Sequence, residues 1–150
     1  MTSSSLVSVR RAIKTADGFA SGIGVHYAPS AIVNSKHQSQ AQHLVIGERV
    51  PPQMMVCAAD GRPYELQDLL PSDARFKVLV FAGDMLCPNQ LSRVHVLADE
   101  LLGEGGILSR FAPRDLGLPS TFDVLTLSTV PLKQMRIGDL PKSLRSHWSK

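Results

Sequence analysis

The sequence predicts an α/β fold around one sheet. Three features point to it: an apolar, β-branched run at Phe76-Lys77-Val78-Leu79-Val80-Phe81-Ala82, a helical stripe over residues 88–102, and a second β-rich run over residues 122–129. Strand, crossover helix and strand make a βαβ unit, in which the strands pair in parallel and the crossover is right-handed. With 43% apolar and 19% charged residues, the 150-residue chain has enough apolar side chains for one core, and its length makes one domain the ceiling.

At the start of the chain, Leu6, Val9, Ile13 and Ala16 recur at spacings of three and four. This predicts a helix over residues 3–19, ended near Gly18. Residues 20–42 are rich in Gly, Ser, Pro, Asn, Gln and His, with an apolar patch at Ile23, Val25 and Tyr27, and predict a linker holding one extended piece. The helix and linker together form a segment over residues 1–46, and the compact unit runs over residues 47–150. Pro51-Pro52 forces an extended entry to it.

Met54-Met55-Val56-Cys57 then predicts a short strand, Asp60-Gly61 a turn, and residues 63–70 a strand end running into one helical turn that Pro71 stops. The nearly continuous apolar run at residues 76–82 predicts a central strand buried on both faces. After Gly83 and Asp84, Pro88 suits a first helical turn, and Leu91, Val94, Leu97, Ala98, Leu101 and Leu102 form a broad apolar stripe ended by Gly103, Gly105 and Gly106. Residues 122–129 predict the second long strand, broken by Pro131. Leu132, Met135, Ile137, Leu140, Leu144 and Trp148 follow at irregular helical spacing.

Charge is uneven along the chain: +3 over residues 1–50, −4 over residues 51–130 and +4 over residues 131–150. Basic ends around an acidic middle suit nucleic-acid-binding arms only when the cations cluster and aromatics lie among them. Here the cations stand singly apart from Arg10-Arg11, and aromatics are 5% of the chain. No nucleic-acid partner is expected. No apolar run approaches the roughly 20 residues of a spanning helix, and residues 1–8 lack the basic and apolar blocks of a signal peptide, so neither membrane association nor secretion is expected. Two cysteines, Cys57 and Cys87, are too few for a disulfide scaffold and fit a reducing compartment. The expected location is cytoplasmic.

Cys87 is the leading candidate for chemistry. It sits between the long strand and the helix, where a helix N-terminus lowers a thiol pKa and where thioredoxin-like proteins carry their reactive cysteine. But Cys87-Pro88-Asn89-Gln90 has Gln where a dithiol motif has its second cysteine, which removes local dithiol exchange. A peroxiredoxin would carry Pro and Thr where this chain has Val80 and Asp84. A thiol peroxidase or other redox protein acting through Cys87 is thus the alternative, and an unreactive thiol the first reading. Cys57, in a predicted strand, is expected in the core.

The five histidines, His26, His37, His43, His95 and His147, show no metal-ligand spacing, and no metal is expected. His95 falls one residue off the helical stripe. Gly103-Glu104-Gly105-Gly106 follows a helix instead of preceding one, so it is a helix stop and not a phosphate loop. The Gly83-Asp84 pair alone does not make a flavin site, and no nucleophile, base and oxyanion donor assemble.

Gly47-Glu48-Arg49-Val50-Pro51-Pro52, Asp60-Gly61-Arg62-Pro63 and above all the run from Leu66 to Asp84 resemble the C-terminal region of flavin-dependent phenol hydroxylases (phenol 2-monooxygenases). Phe19-Ala20-Ser21-Gly22, Val25-His26-Tyr27, Phe122-Asp123-Val124-Leu125-Thr126-Leu127 and Leu140-Pro141 extend the likeness over about residues 15–145. The resemblance implies a thioredoxin-like mixed sheet with a crossover helix and no redox motif, used for dimer contacts and to support a catalytic part. It places FAD, NADPH and aromatic hydroxylation in a longer N-terminal portion with no matching position here. No cofactor or catalytic residue is therefore expected in this chain. The family domain continues past the position of Lys150, so the resemblance also implies a fragment, incomplete at its C-terminus, with an exposed sheet edge and marginal stability alone. The expected partner is a second copy or a full-length relative.

Overall fold

The computed structural model describes Gly22 and residues 24–145. The helix expected over residues 3–19 lies outside the described residues, as do Trp148 and His147. The chain divides into two compact units, residues 1–53 and residues 54–150, and each is described by itself.

In the first unit, His26 and Glu48 form an isolated antiparallel bridge. Gly47 makes the close approach possible. Its φ is +94°, and its carbonyl accepts the Tyr27 N–H at 3.0 Å. The expected linker also folds locally into a 3-10 turn at Gln38–Gln40. The Gln38 side chain ties this turn down, donating to the carbonyls of Ala41 and Leu44 and accepting the Ile46 N–H at 2.7 Å.

The second unit holds four strands and one α-helix. Strand β1 (Met54–Val56) pairs antiparallel with β2 (Pro63–Glu65), with Met55 opposite Tyr64. The Asp60-Gly61 turn closes this hairpin as the sequence predicts. Asp60 Oδ1 accepts the Arg62 N–H at 2.9 Å, and Gly61, at φ +69°, takes the left-handed conformation. A 3-10 turn at Leu66–Leu69 follows and buries Leu66.

Strand β3 (Phe76–Gly83), helix α1 (Pro88–Leu102) and strand β4 (Phe122–Ser128) form the βαβ unit. The strands pair in parallel, Phe76 opposite Phe122 through Phe81 opposite Leu127, with a register shift before Gly83. Helix α1 takes the predicted bounds. Pro88 occupies its first turn, and the Gly103 N–H caps it on the Asp99 carbonyl at 2.9 Å. Val94 and Ala98 pack on Val80, Ala82, Met85, Leu140 and Leu144 to form the core.

This is the expected α/β class, with both antiparallel and parallel pairing. The pairing falls into two separate two-stranded ladders, β1–β2 and β3–β4, among the described residues. Two expectations need correction. The strand at residues 76–82 is not buried on both faces: among the described residues it pairs with β4 alone, and Phe76 and Phe81 are 66% and 54% exposed. An apolar run reports affinity for burial, and burial on both faces further requires neighbours on both sides of the sheet. Leu97, part of the predicted stripe, is 39% exposed, because α1 meets the core over a narrower arc than its apolar surface.

The segment after β4 is a strap of three successive 3-10 turns, Leu132–Gln134, Ile137–Asp139 and Lys142–Leu144. Leu140 and Leu144 plug it into the core. It is fastened by the Thr126 hydroxyl donating to the Leu144 carbonyl at 3.0 Å, and by Arg145 donating to the carbonyls of Leu140 and Gly138. Irregular apolar spacing in the sequence thus corresponds to short turns that each deliver a single anchor.

Candidate functional site

The candidate cysteines are both free. Cys87 is exposed at the N-terminus of α1, and its side chain caps no helix amide. Gln90, where a dithiol motif would place its second sulfur, donates to the Ala82 carbonyl at 2.9 Å and ties the helix start to β3. Cys57 was expected in the core but is half-buried in the hairpin turn just past β1, where its sulfur accepts the Ala59 N–H at 3.3 Å. The strand ends one residue earlier than the apolar run because the chain turns to reach Asp60.

The described histidines are exposed and dispersed. His26 lies at its bridge and His37 at the start of the Gln38–Gln40 turn, while His95 meets the Asp139 carbonyl at 3.1 Å and links α1 to the strap. Among the described residues no three His, Cys, Asp or Glu side chains converge as a metal set, and no helix is long and apolar enough to cross a membrane.

Flavin dinucleotides are bound where backbone amides at a strand-to-helix turn cradle the pyrophosphate. The turn between β3 and α1 does not fit that group. Met85 is buried within it, and Pro88 removes an amide from the first helical turn.

The most ordered polar feature is a balanced set of four charges at the N-terminal end of the β3–β4 pair. Lys77 Nζ lies 2.8 Å from both Asp73 Oδ1 and Asp123 Oδ2. Arg75 pairs with Asp73 and reaches Asp123 Oδ2 at 3.2 Å. The Arg75 hydrogen bond, helped by Lys77, holds the Asp73 carboxyl well below the ordinary carboxylate range. Burial works against the Lys77 ammonium, yet hydrogen bonds to both carboxylates leave its pKa raised. The four groups pair with one another across the β3–β4 ladder. Individual sequence motifs did not disclose this set, because Asp123 is 46 residues from Lys77.

The apolar features are less complete. Phe76 donates its N–H to the Thr121 carbonyl at 2.8 Å, on the β4 side. Backbone groups alternate along a strand, so Lys77, Leu79 and Phe81 direct theirs to the opposite edge, where no described residue pairs with them. Every residue of β4 is half-buried, whereas β3 exposes Phe76 and Phe81. An open apolar cleft of about 740 Å³ runs between the hairpin, β4 and the strap, lined by Met54, Val56, Leu125, Leu127, Met135 and Ile137 among others. Its polar neighbours Thr126, Ser128 and Arg145 already donate to protein carbonyls. The chemistry on offer is apolar contact and strand pairing.

The family model of the phenol hydroxylase C-terminal dimerisation domain matches residues 25–150. The chain belongs to this family. Among relatives of this dimerisation domain, an FAD-dependent monooxygenase, terD, of Aspergillus terreus is 27% identical over 128 residues, 84% of this chain and 21% of that protein. The phenol 2-monooxygenase fsqG of Aspergillus fumigatus is 36% identical over 88 residues, 55% of this chain and 15% of its own length. A 3-hydroxybenzoate 4-monooxygenase of Comamonas testosteroni is 27% identical over 128 residues, covering 84% and 20%. The phenol hydroxylase dimerisation domain described here therefore spans about a fifth or less of the relatives it matches.

Proposed function

We propose that the chain is a structural, self-associating module of an FAD-dependent aromatic monooxygenase, and that it does not itself catalyse. One observation carries the reading: the dimerisation-domain match covers residues 25–150 and so takes in the whole βαβ unit, its hairpin and the strap. The exposed apolar residues of β3, Phe76 and Phe81, supply a surface suited to holding another polypeptide. FAD and NADPH, with the hydroxylation of a phenol, belong to the remainder of such proteins. The poor fit of the turn between β3 and α1 to a dinucleotide supports that division of labour.

The test is direct. The purified chain is expected to sediment at twice its monomer mass, to lack a flavin absorbance band and to leave NADPH unconsumed when phenols are added. NADPH-dependent turnover by the pure chain overturns the proposal. So does peroxide-dependent sulfenic acid at Cys87 that is lost in Cys87→Ser, which would assign a redox role instead.

A further inference from the structure

We infer that Asp60-Gly61, in the hairpin turn between β1 and β2, is a latent site of aspartate isomerisation that the folded turn holds shut. The inference stands apart from the self-association proposed above. Three observations carry it.

First, this dipeptide suits the reaction. The Gly61 backbone nitrogen attacks Cγ of the Asp60 carboxylic acid, the nitrogen gives up its proton, and one carboxyl oxygen leaves as water to close a cyclic succinimide. Water then adds to one of the two imide carbonyls. Cleavage at Cγ restores aspartate, whereas cleavage at the original main-chain carbonyl gives isoaspartate, whose main chain runs through Cβ and Cγ. One water is lost and one regained, so no oxidant or reductant is needed. Glycine, with no Cβ, presents the least hindered nitrogen. Asp60 and Gly61 are both exposed, so water reaches them.

Second, every group the reaction needs is engaged in the folded turn. The Gly61 N–H donates to the Cys57 carbonyl at 2.9 Å, and an amide held in this way gives up its proton only when the bond opens. Asp60 Oδ1 accepts the Arg62 N–H and Oδ2 accepts the Tyr64 hydroxyl, each at 2.9 Å. The Arg62 amide above all keeps the carboxyl pKa below its ordinary value. The group therefore stays a carboxylate, which a nucleophile attacks less readily than the acid.

Third, the product does not fit the turn. The loop is closed by the Cys57 N–H donating to the Arg62 carbonyl at 2.9 Å, next to the Val56–Pro63 pair of the ladder. Isoaspartate inserts a methylene into the main chain between these two residues and shifts the register of the pairing. The hairpin is also one wall of the apolar cleft, through Met54, Val56 and Cys57. Isomerisation thus leaves a lasting mark of hairpin opening and displaces that wall.

The experiment incubates the full chain at neutral pH, native and unfolded in guanidinium chloride, and follows isoaspartate at residue 60 by peptide mapping, which separates it from aspartate of equal mass. The native chain is expected to react at least about tenfold more slowly than the unfolded one, in proportion to the open fraction that Gly61 amide exchange reports. Tyr64→Phe frees Oδ2 and keeps the ring. It is expected to raise the native rate about fivefold, the worth of one hydrogen bond, with the unfolded rate unchanged. No isoaspartate in the unfolded chain overturns the site. Equal rates in the native and unfolded chains overturn the protection, and an unchanged native rate in Tyr64→Phe overturns the hold on the carboxylate. The mass at which the chain sediments bears on none of these outcomes.

Discussion

Lys77 Nζ lies 2.8 Å from Asp123 Oδ2, directly across the parallel register of β3 and β4. The contact ties together residues from the two strands that the α1 crossover separates. Because the Lys77 side chain is 18% exposed, the pair is better shielded than an ordinary surface salt bridge. A double-mutant cycle with Lys77→Met and Asp123→Asn is expected to give a coupling of about 0.5 kcal/mol in favour of the native pair. Urea unfolding of the four proteins measures it, and a coupling of zero would show that the charges do not help to hold the register.

The Asp73 carboxyl has its pKa depressed in the folded protein, first by its hydrogen bond to Arg75 and then by Lys77. A depressed folded pKa contributes stability above the unfolded value, about 3.9 for aspartate. That contribution fades as pH falls below this value toward the folded one. The urea midpoint is therefore expected to drop as pH goes from about 5 to about 3, and Asp73→Asn is expected to make the drop shallower. Parallel curves for the two proteins would remove Asp73 from the explanation.

The Thr126 hydroxyl fastens the strap to β4 through the Leu144 carbonyl at 3.0 Å. Thr126→Val keeps the shape and removes the donor, leaving a part-buried carbonyl without that bond. A loss of about 1 kcal/mol is expected. Hydrogen exchange should accelerate first at residues 140–145, since the Leu144 and Arg145 amides lie in the strap's last turn. Uniform acceleration throughout the second unit would instead mean that strap and sheet open together.

In the first unit, Gly47 at φ +94° would place an added Cβ 2.5 Å from the Tyr27 carbonyl oxygen. Gly47→Ala thus combines left-handed strain with a backbone clash. It is expected to break the bridge between His26 and Glu48 and expose residues 26–48 to limited proteolysis, with little change in the second unit. An unchanged digestion pattern would mean that the bridge survives the substitution.

What the amino-acid order determined by itself was local and periodic. The bounds of α1 follow from Pro88, a 3.6-residue apolar rhythm and Gly103. The hairpin follows from Asp60-Gly61, and β3 and β4 follow from runs of β-branched and aromatic side chains, all of which act over a few residues. The likeness to phenol hydroxylases was legible too, in the segment from Leu66 to Asp84, and the family match bears it out. Tertiary structure alone decided which apolar surfaces found cover. The same kind of run half-buried every residue of β4 yet left Phe81 exposed on β3, and Cys57 came to rest outside the core. The fold also assembled Asp73 and Arg75, just ahead of β3, with Lys77 of β3 and Asp123 of β4, across a long crossover. Burial and ion pairing depend on neighbours supplied by distant parts of the chain, and no short stretch of sequence contains that information.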